Sequence, residues 1–308
     1  VVSTALMAGL ALTSHTSKAY AQKNCGSGGG SVGVVRDGEP IVCDKSSGTK
    51  TLNSSSGGDI NINMDMGGGS KEAAVTVKGQ GTNITIIKSL KVTGSGGSGL
   101  PVIKVLSGGK LTLDEDVSVD VAGATIKKEI VVEGQGSSVT LKGVLKGFER
   151  MEVKGGGAIV LGEKVTGIEE VKVGINNGGV VRFDKSVTFN NDEAGIKIEG
   201  SGGASVIGVG RTMTVTKGSG DGIEMQGTGG TASVVGLKIV GSGMGSTGTG
   251  VDMQNGREMT LNMVNVSGFR VGVNARSGKV NINGDSTITV ANSGTGIMVS
   301  GSGATVKM

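Results

Sequence analysis

Histidine, tryptophan and proline are almost missing from this chain of 308 residues. It contains one His, no Trp and 2 Pro, and its aromatic residues are limited to 1 Tyr and 4 Phe. Any Ser-His-Asp or Cys-His nucleophile system would depend on His15, which we expect to be removed with a targeting segment. His-ligated zinc and iron sites are excluded on the same ground. The few aromatic rings also argue against sugar-stacking clefts and single-stranded nucleic-acid platforms.

Glycine, by contrast, is abundant and occupies 61 of the 308 positions. Because the glycines come without proline and without a Gly-X-Y period, collagen is excluded. Hydrophobic residues make up 36% of the chain, which leaves enough Val, Ile and Leu to bury a core and argues against simple disorder. The 30 basic and 26 acidic residues give a net charge of +4, and no block of like charge indicates a nucleic-acid partner.

The N-terminal residues have the pattern of a secretory signal segment. Residues 1–14 form the apolar run VVSTALMAGLALTS, and Ala19-Tyr20-Ala21 follows as an A-x-A signal, which predicts cleavage between Ala21 and Gln22. A transmembrane helix is the alternative, but it needs about 20 apolar residues, and polar residues interrupt the run at 14–18. No basic region or initiator Met precedes the run, so we expect the sequence to be truncated at its start.

The two cysteines, Cys25 and Cys43, lie just beyond this cleavage site and are 43 − 25 = 18 positions apart. Export would permit a disulfide between them, and closing such a loop is worth about 3 kcal/mol in the chain-entropy model. A pair of free thiols is the alternative. Two cysteines without histidine are too few ligands for a metal site, and we expect no metal or other cofactor.

Short alternating apolar and polar runs, separated by Gly, Ser and Asn, fill the chain from about residue 50, and such runs predict strands with one buried face. Similar segments open with a Gly-Ile or Gly-Val pair at spacings of 27, 28, 22 and 24 residues, beginning at Gly195, Gly222, Gly250, Gly272 and Gly296. A β-sandwich would show turns without this longer period. We therefore predict an all-β chain: a right-handed parallel β-helix over 50–308, an N-terminal cap over 22–49 and a signal segment over 1–21.

The Gly-rich repeats, the signal segment and the scarce cysteine together resemble passenger domains of type V secretion autotransporters. Residues 147–158, GFERMEVKGGGA, are similar to coils of Bartonella-type passengers. The resemblance implies a secreted or surface-exposed bacterial protein and, for pro-angiogenic members, agonism at an endothelial growth-factor receptor. It also implies a C-terminal membrane barrel, which is missing after Val306-Lys307-Met308. We therefore expect a passenger fragment that contacts a membrane only through that barrel.

Acidic residues cluster at two predicted corners, 114–116 and 190–193. Parallel β-helix lyases and hydrolases gather acids on one face of adjacent coils, but solvated turns also favour Asp and Asn. The alternating acids and amides of 59–65 approach a calcium-loop spacing, but they lack the required Gly and Glu, so a polar ladder is expected. Neither cluster predicts a catalytic residue.

Basic residues offer a candidate binding surface instead. Three arginines fall within 20 residues, and a lysine pair forms a smaller basic spot: Arg257, Arg270, Arg276, Lys127 and Lys128. Such a stripe could bind a sulfated glycan or an acidic receptor patch by charge complementarity. The alternative is scattered charge that only keeps the protein soluble.

These observations favour an exported passenger that binds host cell-surface molecules without catalysis. A solenoid offers a long rigid face for such recognition. A glycan-degrading β-helix enzyme that uses paired carboxylates is one alternative, and a structural stalk is another.

Overall fold

A computed structural model describes residues 23–26, 30–65, 72–95, 99–122, 126–191, 193–243 and 246–308, without the side chain of Asn292. The predicted signal segment and its cleavage site between Ala21 and Gln22 lie outside these residues. Strands account for most of the described chain. A single turn of 3-10 helix, Lys45–Ser47, is the only helical segment in these ranges, and none of the described residues forms a helix able to cross a membrane.

The strands are short in the first two thirds of the chain and longer near the C-terminal end. In chain order they are β1 (Val32–Val35), β2 (Ile41–Cys43), β3 (Thr49–Ser54), β4 (Ile60–Asn63), β5 (Val75–Lys78), β6 (Asn83–Ile86), β7 (Leu90–Gly94), β8 (Pro101–Leu106), β9 (Lys110–Leu113), β10 (Val117–Val121), β11 (Lys127–Glu133), β12 (Ser138–Leu141), β13 (Leu145–Lys146) and β14 (Arg150–Lys154). They continue as β15 (Gly157–Leu161), β16 (Lys172–Asn176), β17 (Gly179–Phe183), β18 (Val187–Phe189), β19 (Ile196–Glu199), β20 (Gly203–Val215), β21 (Ile223–Met225), β22 (Thr231–Val240), β23 (Thr249–Met253), β24 (Glu258–Asn262), β25 (Asn265–Ala275), β26 (Lys279–Asn283), β27 (Thr287–Val299) and β28 (Thr305–Lys307).

The strands stack in parallel on three faces. Face A contains β2, β5, β8, β11, β14, β16, β19, β21, β23 and the second halves of β25 and β27. Face B contains β1, β3, β6, β9, β12, β15, β17, the first halves of β20 and β22, then β24, β26 and β28. Face C contains β4, β7, β10 and β13, and continues with β18 and the remaining halves of β20, β22, β25 and β27.

The chain visits the three faces in the fixed order A, B, C, and each visit pairs with the same face of the coil before it. This is a parallel β-solenoid, and the predicted fold class is confirmed. Residues 22–49, expected as a cap, include β1 and β2, which pair with β3 and β5. Solenoid pairing therefore begins inside that segment.

The solenoid core consists of columns of aliphatic side chains that point inward. One column on face A is fully buried from coil to coil: Ile103, Ile130, Met151, Val173, Ile196, Ile223 and Val251. Burying a side chain of this size contributes about 1.5–3 kcal/mol, so the columns supply the main stabilising term. The four phenylalanines are also buried: Phe148, Phe183, Phe189 and Phe269.

The repeated glycines stack at the corner where face C passes into face A. A Cβ atom on Gly250 would lie 2.7 Å from the carbonyl oxygen of Gly272, and one on Gly272 would lie 2.5 Å from that of Gly296. Real Cβ atoms do not approach carbonyls so closely, because their van der Waals surfaces would overlap. Glycine is therefore required here by the close approach of successive coils.

Candidate functional site

The N-terminal segment is attached to the first coil by a disulfide between Cys25 and Cys43, the pair predicted from the sequence. Both cysteines are buried, and their Cα atoms lie 5.2 Å apart. Lys23 and Val42 exchange two backbone hydrogen bonds beside this disulfide, of 3.1 and 2.7 Å. The Nζ of Lys50 donates to the carbonyl of Gly26 at 3.2 Å. The segment is thus fixed by covalent and polar contacts together.

The predicted basic residues do not form one patch. Arg257 and Arg276 lie at the corner between faces A and B, whereas Arg270 lies at the corner between faces C and A. Lys127 and Lys128 begin β11, which is five face-A strands before β23, or about 24 Å along the axis at 4.8 Å per coil. The structure therefore distributes these charges over different corners and coils.

Two of the five cations are also engaged by acids. The Nη2 of Arg276 lies 2.9 Å from the Oδ2 of Asp252, and the Nζ of Lys128 lies 3.5 Å from the Oε1 of Glu149. Because a paired cation is less attractive to an outside anion, a receptor or glycan would meet less positive charge here than the sequence suggests.

Asp252 is the centre of a polar network on the outer side of face A. Its carboxylate is fully buried and accepts hydrogen bonds from Asn274 at 3.0 Å, from Gln254 at 3.1 Å and from the Nε of Arg276 at 3.1 Å. The Oγ of Ser300 then donates to the Oδ1 of Asn274 at 3.2 Å. The network spans three successive coils and satisfies a buried charge, which would otherwise be strongly destabilising.

Asp221 lies close to this network and has an altered proton affinity. Burial raises the pKa of its carboxyl to about 6, and the nearby charges of Asp252 and Glu224 act in the same direction. A hydrogen bond from the backbone N–H of Thr249, 2.6 Å long, opposes the shift. A carboxyl with such a pKa could exchange protons near neutral pH, but Asp252, its possible acidic partner, is enclosed and out of a substrate's reach.

The acidic runs found in the sequence contact neighbouring coils. Asp114 pairs with the Nζ of Lys142 at 2.8 Å, and the Oδ1 of Asp116 accepts the backbone N–H of Val144 at 2.8 Å. In the second run, Glu193 pairs with Lys172 at 2.8 Å, and this hydrogen bond lowers the pKa of Glu193. Asp192 lies outside the described residues.

The 59–65 segment likewise uses its acids in contacts between coils. Asp59 pairs with Lys91 at 2.7 Å, and the Oδ2 of Asp65 accepts the backbone N–H of Ser95 at 2.7 Å. Within the described ranges, no three His, Cys, Asp or Glu residues are grouped so that they could hold a metal ion.

An open groove at the corner between faces A and B was not predicted from the sequence. It has a volume of about 670 Å³ and is lined by residues of four successive coils: Thr49, Gln80, Gly81, Thr82, Asn83, Ser107, Gly108, Lys110, Gln135 and Gly136. Most of these residues carry neutral hydrogen-bonding groups, and none is acidic. The sequence signal was the pair of similar turns at 78–82, KGQGT, and 133–137, EGQGS.

The chain matches no protein-family model, and comparison with curated proteins and with solved structures finds no significant match. The β-solenoid is a fold typical of autotransporter passengers. Fold and local geometry therefore carry the functional argument.

Proposed function

We propose that this chain is an exported recognition rod that binds host cell-surface molecules without catalysis. The observation that carries the proposal is the groove of about 670 Å³ at the A–B corner, which is open and lined mostly by neutral polar groups, with Lys110 as the cation. The solenoid supports it, since stacked coils hold such a groove rigid without a separate domain. Asp114, Asp116 and Glu193 are consistent with a binding role, because their carboxylates already contact neighbouring coils.

Cell binding is the direct test. The purified chain is labelled and applied to endothelial cells, and bound protein is measured over a range of concentrations. We expect saturable binding that the unlabelled chain displaces. Folded protein that shows no saturable binding would contradict the recognition role and leave the structural stalk.

Receptor agonism is a narrower proposal, and it rests on the resemblance to pro-angiogenic passengers. It requires the rod to bring receptor chains together, so the same cells should show phosphorylation of a vascular endothelial growth-factor receptor. Saturable binding without phosphorylation at any dose would reject agonism and leave adhesion.

Export is tested by processing. When the chain is produced with a complete signal segment in a bacterium, we expect extracellular or surface material that begins at Gln22, as measured by mass spectrometry. Material that stays inside the cell and keeps residues 1–21 would contradict export.

The glycan-degrading alternative is favoured by one observation, the raised pKa of Asp221 beside Glu224 and Asp252. It predicts release of reducing ends from an acidic polysaccharide, and loss of that activity in Asp221→Asn. We expect no release from the unaltered chain, since Asp252 is fully buried and held by Arg276. Release that depends on Asp221 would overturn the non-catalytic proposal.

A further inference from the structure

The groove at the A–B corner has two similar walls. Each is a four-residue turn with a glutamine at its tip: residues 79–82, which carry Gln80, and residues 134–137, which carry Gln135. Between them lies the shorter turn 107–109, Ser-Gly-Gly, which has no long side chain. The groove exists because this short turn is stacked between two longer ones.

Hydroxyl groups stiffen both walls in the same way. The Oγ1 of Thr82 donates to the carbonyl of Lys78 at 2.9 Å, and the Oγ of Ser137 donates to the carbonyl of Glu133 at 2.7 Å. Ser137 also accepts the N–H of Gly108 at 2.9 Å, which joins this wall to the floor. Both hydroxyl residues are buried. The exposed glutamines therefore project from a preorganised frame, and ordering them costs less on binding.

Face B extends the groove as a flat polar surface. Two outward columns run in register through β3, β6, β9 and β12. The first contains Thr49, Asn83, Lys110 and Ser138, and the second contains Thr51, Thr85, Thr112 and Thr140. Successive hydroxyls in the second column are about 4.8 Å apart along the axis. The column ends at β15, where Val160 is the next residue.

The hydroxyl groups of the second column make no hydrogen bonds among the described residues. Thr51, Thr85, Thr112 and Thr140 are partly exposed, and among the residues that the structure describes none of their hydroxyls bonds to another side chain or to the backbone. Lys110 is exposed and makes no ion pair within the same ranges. Its charge and these hydroxyls are therefore available to a ligand.

The chemistry of this surface selects among ligands. Neutral amides and hydroxyls in a row match a partner rich in hydroxyl groups, and the exposed cation at Lys110 matches one anionic group on that partner. The groove lining contains no aromatic residue and no Val, Leu, Ile or Met, which disfavours a hydrophobic peptide or a lipid chain.

We propose that the groove and the threonine column together bind an acidic glycan, with its carboxylate or sulfate at Lys110 and its hydroxyls on the glutamines and threonines. This site deepens the proposed function and rests on it, because it names the host-surface chemistry that the rod recognises. It is distinct from the five basic residues predicted from the sequence. Without a stacking ring, affinity comes from hydrogen bonds and one charge, so it weakens with added salt.

Titration of the full chain with defined oligosaccharides tests the proposal. Hexasaccharides of heparin and of hyaluronan supply the sulfated and the carboxylated ligand, and maltohexaose is the neutral comparison. Backbone ¹H–¹⁵N chemical shifts report where each ligand binds and how tightly. We expect saturable shifts at residues 79–85, 107–112 and 134–140 with one or both acidic ligands, and the difference between them identifies the anionic group.

Variants connect the shifts to the proposed contacts. Lys110→Gln should weaken binding about fivefold or more, and Thr112→Val, which keeps the side-chain shape, should weaken it about twofold or more. Lys307 and Thr260 occupy the same outward column of face B as Lys110, on β28 and β24. Lys307→Gln and Thr260→Val are therefore matched controls, and neither should change the affinity.

Several outcomes would overturn the proposal: no saturable shifts with either acidic ligand, equal affinity for maltohexaose, or an equal loss in Lys110→Gln and Lys307→Gln. Cell binding separates this failure from that of the broader function. A chain that binds cells but no oligosaccharide keeps the recognition role and loses the glycan site. A chain that binds the acidic oligosaccharide through Lys110 but no cells keeps the site and loses the proposed host target.

Discussion

Two neighbouring aspartates occupy very different environments. Asp252 is buried but has an arginine and two amides around its carboxylate, so its charge is compensated. Within the described residues, Asp221 has one hydrogen-bond donor, the backbone N–H of Thr249, and its carboxyl is partly buried close to two other acids. The first aspartate joins the coils together, whereas the second is destabilising whenever it is ionised.

This difference predicts an unusual pH dependence. The folded chain holds the Asp221 proton to about pH 6, whereas the ordinary pKa is 3.8, so the native state loses stability as the pH rises from about 4 to about 6. Asp221→Asn keeps an acceptor for Thr249 and removes the charge. We expect it to be more stable than the unaltered chain at pH 7.5, by about 1 kcal/mol because the carboxyl is partly solvated, and similar to it near pH 3.5.

Denaturant unfolding at a series of pH values measures this effect. Asp285→Asn is the matched control, because Asp285 is an exposed carboxyl on a later coil. Its stability should follow that of the unaltered chain at every pH. An Asp221→Asn variant whose stability varies with pH as in the unaltered chain would show that Asp221 does not titrate as described.

At the scale of the strand and its corner, the repeated Gly-Ile and Gly-Val pairs gave the correct period and the correct fold. Alternation predicted which side chains point inward, because period-two runs place every second residue on one face. The reason for the glycines differs among positions. Gly108, Gly134 and Gly136 have positive φ in their turns, whereas the column that includes Gly250 and Gly272 is set by contact between coils. A single sequence does not distinguish these two causes.

The close approach predicts an asymmetry along this column. Gly250→Ala places a Cβ 2.7 Å from the carbonyl of Gly272 and against the Cγ1 of Val266, so it should cost about 1–3 kcal/mol of stability. Gly296→Ala, two coils further along the same column, meets no atom of the described residues within 4 Å and should change stability by less than about 0.5 kcal/mol. Chemical denaturation of both variants checks this. Equal losses would indicate that backbone flexibility, and not contact, explains the glycines.

For the whole molecule, the solenoid makes most contacts between coils that are neighbours in the stack. Local changes should therefore remain local, as in other repeat architectures. The disulfide between Cys25 and Cys43 lies at the first coil, far from β17 to β22 along the axis.

Hydrogen exchange tests this locality. Replacing both cysteines by serine removes a cross-link worth about 3 kcal/mol in the chain-entropy model, so amides of β1, β2 and β3 should exchange faster. Amides of β17 to β22 should keep their protection. Gly296→Ala, with its cysteines intact, is the control and should show slow exchange in both regions. A uniform loss of protection in the cysteine variant would mean that the stack unfolds as one cooperative unit.

The sequence predicted the solenoid far better than it predicted the candidate site. Composition and period define which residues stack. The cysteine pairing followed from the presence of two cysteines and from the expected export of the chain. The groove depends on something else: turns 79–82 and 134–137 come from coils separated by a third, and only the stacking shows that Gln80 and Gln135 flank a shorter turn. The sequence also could not predict the partner of Arg276, because Asp252 lies 24 positions earlier and only the stacking of coils brings the two side chains together.

Because the short turn at 107–109 lies between the two glutamine turns, the width of the groove depends on how many coils separate those turns. Gln80 and Gln135 lie two coils apart, which is about 9.6 Å along the axis. Excising residues 107–133 would join Leu106 to Gly134 and bring the two glutamine turns into direct succession. Such a shortened rod would keep its parallel strand pairing, but the axial separation between Gln80 and Gln135 would become smaller. At this corner, deleting or adding whole coils changes the spacing of the glutamine turns, whereas single substitutions change the chemistry of the lining. The two properties can therefore be altered independently.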